Sequence, residues 1–167
     1  MSQVVKRGNT KPLPLNAGYS VNTYRYTGEV VGGSSQELFV NGKQGYVVAL
    51  EPSTAGLIEV TAVLSEVNTN TGVPGTSRYQ KIVGRYEVNR VGTGVLSLGG
   101  DTYGSVTSPA TPINTPSNRL STALTVSITN RSATEYYPHL VVSCGGTIQT
   151  NNWLIEVKVF TLPFKGA

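Results

Sequence analysis

The sequence predicts an all-β protein, an antiparallel two-sheet sandwich of jelly-roll-like type with about eight or nine strands and an extended N-terminal arm. Three observations point there. Apolar and polar residues alternate with period two over long stretches, as in a strand with one face on a core and one in water. Glycine-rich turn signals separate those stretches. The composition suits sheet over helix, with 20 Thr, abundant Ser, Asn and Gly, and only 13% charged residues, against roughly 25% in typical soluble domains.

Taken in order, residues 1–18 are the expected arm. They hold Lys6, Arg7, Lys11, Pro12 and Pro14, and show no periodicity. Residues 19–167 are read as a single β-sandwich domain. Short strands are expected at Tyr19–Val31, Gln36–Val40 and Gly45–Leu50, with Asn41-Gly42 between the last two as a strong hairpin signal. In Gly56–Ser65, Ile58, Val60, Ala62 and Leu64 share one face, while Leu57, Glu59, Thr61, Val63 and Ser65 share the other. In Gln80–Arg90, Ile82, Tyr86 and Val88 alternate with Lys81, Arg85, Glu87 and Asn89. A short strand follows at Gly94–Leu98. Leu120, Leu124, Val126 and Ile128 alternate with polar residues, Glu135–Cys144 is another short strand, and Trp153, Ile155, Val157 and Val159 oppose Glu156 and Lys158. Two long connections are expected, a polar loop at 68–77 and a Pro-containing loop at 99–118 with Pro109, Pro112 and Pro116. A missing cysteine pair argues against an immunoglobulin-type sandwich and favours the jelly-roll-like arrangement.

Reactive groups are few. The chain has one His (His139), one Cys (Cys144) and one Asp (Asp101). A lone Cys excludes an internal disulfide, and one Cys with one His cannot build a zinc site from soft ligands. Acyl-transfer chemistry would need His139 with no spare. The expectation is therefore no enzyme, no catalytic residue, no metal and no cofactor. His139 and Cys144 lie five residues apart, on opposite faces of one strand. Cys144 reads as a core thiol and His139 as a surface or interface residue. Glu51, Glu59, Glu66, Glu87 and Glu156 read as solvated or ion-paired carboxylates. The run Gly99–Gly104 lacks the lysine and helix of a phosphate loop and reads as a turn. Arg78, Lys81, Arg85 and Arg90 surround Tyr79 and Tyr86, a pattern that can stack on nucleic acid, yet Glu87 interrupts it and a charged sheet surface is the simpler reading. Asn130-Arg131-Ser132 matches a glycosylation triplet. No secretion signal and no run of 18 apolar residues accompany it, so neither export nor a membrane partner is expected.

Beyond the three basic residues of the arm, the chain carries ten basic residues against nine acidic. Three arm charges argue against nucleic-acid packaging, which uses denser Arg/Lys blocks. Nine Tyr stand against three Phe, and Tyr is enriched at protein interfaces. The interface candidates are Lys6, Arg7, Lys11, Tyr19, Tyr24, Tyr103, Tyr136 and Tyr137.

The arm residues Lys6, Arg7, Gly8 and Asn9, together with the Thr-rich strands Leu57–Ser65 and Leu124–Asn130, give the chain its likeness. It resembles virion structural proteins of tailed phages, of the capsid decoration (cement) or tail-appendage type. The resemblance implies a homo-oligomer, trimer favoured, located in the virion and bound to capsid or other virion proteins, stabilising the assembled shell without catalysis. Two other readings remain open: a small jelly-roll coat protein that forms the shell itself, and a receptor- or glycan-binding module of a tail fibre using Tyr103, Tyr136, Tyr137 or Trp153.

Overall fold

The computed structural model of the chain describes residues 3–6, 20–31, 35–67, 74–107, 111–113, 124–130, 137–145 and 150–163. Those residues are all-β, as expected. They form β1 (Gln3–Lys6), β2 (Ser20–Val30), β3 (Ser35–Val40), β4 (Tyr46–Ala49), β5 (Thr54–Val67), β6 (Pro74–Val88), β7 (Gly94–Thr107), β8 (Thr111–Ile113), β9 (Leu124–Thr129), β10 (His139–Gly145) and β11 (Thr150–Pro163). Every pairing is antiparallel. The order is β1-β4-β10-β3-β2-β11-β5-β6-β7-β8, with β9 on the free flank of β10. Strand β3 joins two wings, because Ser35–Leu38 pair with β10 while Phe39 and Val40 pair with β2. One core cluster draws on both wings, from Leu38, Val48, Leu140, Val142 and Cys144 on one side to Ile58, Val60, Tyr86, Ile155 and Val157 on the other.

The period-two alternation sets which residues enter that core. On β5, Ile58, Val60, Ala62 and Leu64 are buried, and on β11 so are Trp153, Ile155, Val157 and Val159. Strand β11 is central. It pairs along its length with β2 on one flank and β5 on the other, so the chain's last strand closes a sheet that its earlier strands leave open.

Four local expectations are corrected. The Asn41-Gly42 turn forms, with φ of 54° and 67° and the Gly42 N–H donating to the Phe39 carbonyl at 3.0 Å. Asn and Gly are the residues that tolerate this left-handed geometry. Strands β3 and β4 nevertheless do not pair with each other as a hairpin. They lie in series along one flank of β10, β3 through Ser35–Leu38 and β4 through Val48 and Ala49.

The stretch expected as a loop at 99–118 is strand through Thr107, followed by β8, which returns against Ser105–Thr107. Backbone ladder bonds need no apolar side chains, so Gly, Ser and Thr suffice there. A bulge between Lys81 and Val83 of β6 absorbs one extra β7 residue beside Gly99-Gly100. Pro112 is tolerated because β8 ends the strand order.

Of the polar loop expected at 68–77, residues 74–77 are strand, because β6 starts at Pro74, and residues 68–73 lie outside the described residues. Within the arm, Gln3–Lys6 are not free but form β1, paired with β4. Consecutive strands β5 to β8 form a meander, which is where the order departs from the Greek-key wrap of a jelly roll.

Candidate interaction surface

The wing formed by β2, β11, β5, β6 and β7 buries one face in the core and turns the other outward. The pairing register places the outward residues in rows across the strands. One row runs Val21, Phe160, Leu57, Arg85, Ser97. Two steps further along the strands lie Thr23, Lys158, Glu59 and Val83, then Arg25, Glu156, Thr61 and Lys81. The next row is Thr27, Leu154, Val63, Tyr79. Two apolar rows thus flank a charged belt. Their residues are well exposed: Val21 is 61% accessible, Leu57 and Leu154 48% each, Val63 42% and Tyr79 40%. Leu162, also 48% exposed, shares an apolar depression of about 190 Å³ with Val21 and Phe160.

The belt mixes both signs, and its cations lie beside carboxylates, as does Arg85 in the adjoining row. Arg25 lies 3.8 Å and Lys158 3.9 Å from the Glu156 carboxylate, Lys81 lies 3.6 Å from Glu59, and Arg85 lies 3.2 Å from Glu87. Exposed pairs of this kind add about 0–1 kcal/mol each to stability. Two members of the basic set noted in the sequence, Lys81 and Arg85, are therefore acid-paired, and Tyr86 is buried in the core, unable to stack on a base.

The predicted interface residues are not brought together on this face. Lys6 ends β1, opposite Tyr46 in the ladder. Arg7, Lys11, Tyr19 and Tyr136 lie outside the described residues. Tyr103 stands on β7 opposite Gln80. Tyr24 and Tyr137 are buried in the chain's own interior, which leaves little ring surface for another subunit. Tyr24 does share a 410 Å³ cavity with Val4 of the arm, along with Thr23, Arg25, Val40 and Asn41. Its phenol is raised well above the ordinary 10.0 by burial first, then by the neighbouring Tyr86 and Glu51. Trp153 and Tyr137 are both buried, so neither presents a ring to a sugar.

His139, expected at the surface, is buried at 1% exposure. It opens β10 between Ala49 of β4 and Thr129 of β9, and strand neighbours on both flanks close it in. Glu51, expected solvated, is buried too, and its carbonyl accepts from the Thr54 hydroxyl at 2.6 Å. Cys144 is fully buried as expected, and burial pushes its thiol up to about 12. Among the described residues no three His, Cys, Asp or Glu side chains gather as a metal site would require. Asn130 of the glycosylation triplet accepts from the Gly94 N–H at 2.8 Å, tying β9 to the start of β7.

The sequence reading missed Leu57, Val63 and Leu154 as candidates, and weighed Tyr79 only for stacking on nucleic acid. The signal was present, since Leu57 and Val63 are apolar residues on the wet face of an otherwise alternating strand.

No family model and no curated protein matches this chain. Solved structures that align with it include two phage tailspikes. One is the tailspike protein of Acinetobacter baumannii phage AM24, at 15% identity and TM-score 0.37, covering 90% of this chain and 27% of the tailspike. The other is the tailspike protein of Acinetobacter phage vB_ApiP_P1, at 16% identity and TM-score 0.32, covering 92% of this chain and 23% of the tailspike. The chain spans about a quarter of either tailspike's length. At these low scores neither likeness carries an activity onto this chain.

Proposed function

We propose that this chain is a non-enzymatic virion structural protein of the capsid decoration or cement type, a homo-oligomer that binds the assembled shell and stabilises it. The observation that carries this reading is the outward sheet face, with its two apolar rows in cross-strand register around a belt of mixed charge. Isolated exposed apolar residues are ordinary on protein surfaces, whereas ordered groups of them mark contact sites. Full burial of one Leu, Val or Phe side chain contributes about 1.5–3 kcal/mol. A few such residues therefore suffice for attachment when many copies bind a repeating lattice. Binding that favours the assembled state stabilises it by mass action. The near-neutral body supports the same reading, because close packing of copies meets little long-range repulsion.

The test is the position and copy number of the protein in purified particles, by imaging and quantitative mass spectrometry. The proposal expects many copies at symmetry-related positions on the shell. A few copies confined to the tail would replace decoration with a tail-appendage role. Absence from the particle would overturn the virion assignment.

A further inference from the structure

Strand β1 holds its place through one ladder. Its four residues pair with β4 as Gln3↔Ala49, Val4↔Val48, Val5↔Val47 and Lys6↔Tyr46, and among the described residues β4 is the one strand it pairs with. On its other flank β4 meets β10 only through Ala49 and Val48. Val47 and Val48 are nonetheless almost completely buried. Strand β4 therefore depends on a strand in the β1 position; without one, its edge would offer unpaired backbone groups to any extended segment. Thirteen residues separate Lys6 from Ser20. A connector of that length spans up to about 45 Å when extended, far more than the distance between neighbouring strands, about 4.8 Å. It contains Pro12 and Pro14, residues that favour extended chain.

We propose that β1 is an exchangeable strand: in the assembled protein, β1 of one copy completes β4 of a second copy. The ladder bonds and the Val4–Val48 contact are identical whether the strand comes from the same chain or from its neighbour. The choice is therefore set by chain connectivity and local concentration, the condition under which strand exchange links protomers at low cost. This deepens the self-association in the proposed function, and its test requires no particle.

The register names the probe. Val4→Cys and Val48→Cys are placed on separate chains, both carrying Cys144→Ala. The two are refolded together at high concentration and mildly oxidised. Val5→Cys with Val47→Cys is run in parallel. Adjacent antiparallel pairs alternate between wide and close Cα spacing, about 5.5 and 4.5 Å, so one of the two has the geometry a disulfide favours. The expected result is a disulfide-linked dimer of unlike chains, and a ladder of covalent multimers from the variant carrying both cysteines in one chain. A double variant that closes only within single chains, with no dimer from the mixture, would overturn exchange while leaving the proposed function standing. No disulfide from either pair would overturn it as well, by removing the register on which it rests.

Discussion

The Tyr86 hydroxyl on β6 donates to the Thr161 hydroxyl on β11 at 2.9 Å, reaching across the full width of β5. The residue between them in the register is Gly56. A Cβ there would overlap the Phe160 carbonyl oxygen and lie 3.1 Å from the Tyr86 ring. Glycine thus lets the phenol cross the strand, and the bond ties three strands in the buried interior. Tyr86→Phe deletes the donor and is expected to lower stability by about 1–2 kcal/mol in urea unfolding. Gly56→Ala drives a methyl into backbone that cannot swing aside, and is expected to cost at least about 3 kcal/mol. A near-neutral Gly56→Ala would mean that the three strands are not this close.

The turn between β6 and β7 depends on Asn89. Its side-chain oxygen accepts from the Val91 N–H at 3.1 Å and the Thr93 N–H at 2.8 Å, while Gly92 holds a φ of 83°. Asn89→Ala should lower stability by about 1 kcal/mol, and Asn89→Asp, which keeps the acceptor, by less. Equal losses for both would show that the side-chain oxygen is not what holds the turn.

Much of this fold is legible in the sequence because alternation is a local property. The buried faces of β5, β6 and β11 follow from counting every second residue, and the Asn41-Gly42 turn from two adjacent residues. Strand order is not local. That β11 inserts between β2 and β5, or that β10 takes β3 and β4 in series, depends on which edges are free once the core forms. No short window of sequence contains that information. The 99–107 stretch was obscured for a different reason. Its glycines and threonines carry no apolar signal, yet the β6 backbone gives it ladder partners.

The candidate surface is half legible. Tyr count drew attention to aromatic residues, but Tyr24, Tyr86 and Tyr137 are buried. The rows of Leu57, Leu154 and Val63 need the register of β5 against β11 to become a surface, and that register is a tertiary fact.

Cys144 tests the core directly. It is fully buried and its thiol is raised to about 12, so at pH 8 only about one molecule in ten thousand carries the reactive thiolate. Native protein should react with a disulfide reagent only at the rate of global opening, and release one equivalent per chain once denatured. Rapid labelling of the native protein would place β10 at the surface.

Stability should fall on the alkaline side. Cys144, Tyr24 and Tyr26 all have acidities weakened by burial, so the folded chain holds their protons more tightly than the unfolded chain does. A raised folded pKa contributes stability that is complete below the unfolded value and is lost as pH rises through the folded one. For Cys144 that window runs from about 9 to about 12; for the tyrosines it opens near 10. Within it, each group lowers unfolding free energy by about 1.4 kcal/mol per pH unit. Urea unfolding at successive pH values should show a flat region below pH 9 and a slope that steepens above 10. Cys144→Ala should remove the earliest part of the fall. An unchanged onset in that variant would assign the alkaline loss to other groups.

The outward face separates attachment from folding. Leu57 and Leu154 point away from the core in different rows, each about half exposed. Leu57→Glu and Leu154→Glu replace surface that is already wet, so each should change stability by less than about 1 kcal/mol. Each also places a carboxylate where a partner would bury apolar area, Leu57→Glu beside Arg85 and Leu154→Glu between Thr27 and Val63. The loss of even part of one Leu burial, with desolvation of the new charge, should weaken self-association or particle binding by about tenfold or more. Val91→Glu makes the same kind of change in the turn between β6 and β7, on a residue 64% exposed, and should leave binding as it was. Sedimentation and particle-binding isotherms read the difference. If all three variants bind alike, the contact lies elsewhere, and the β1–β4 edge becomes the first place to look.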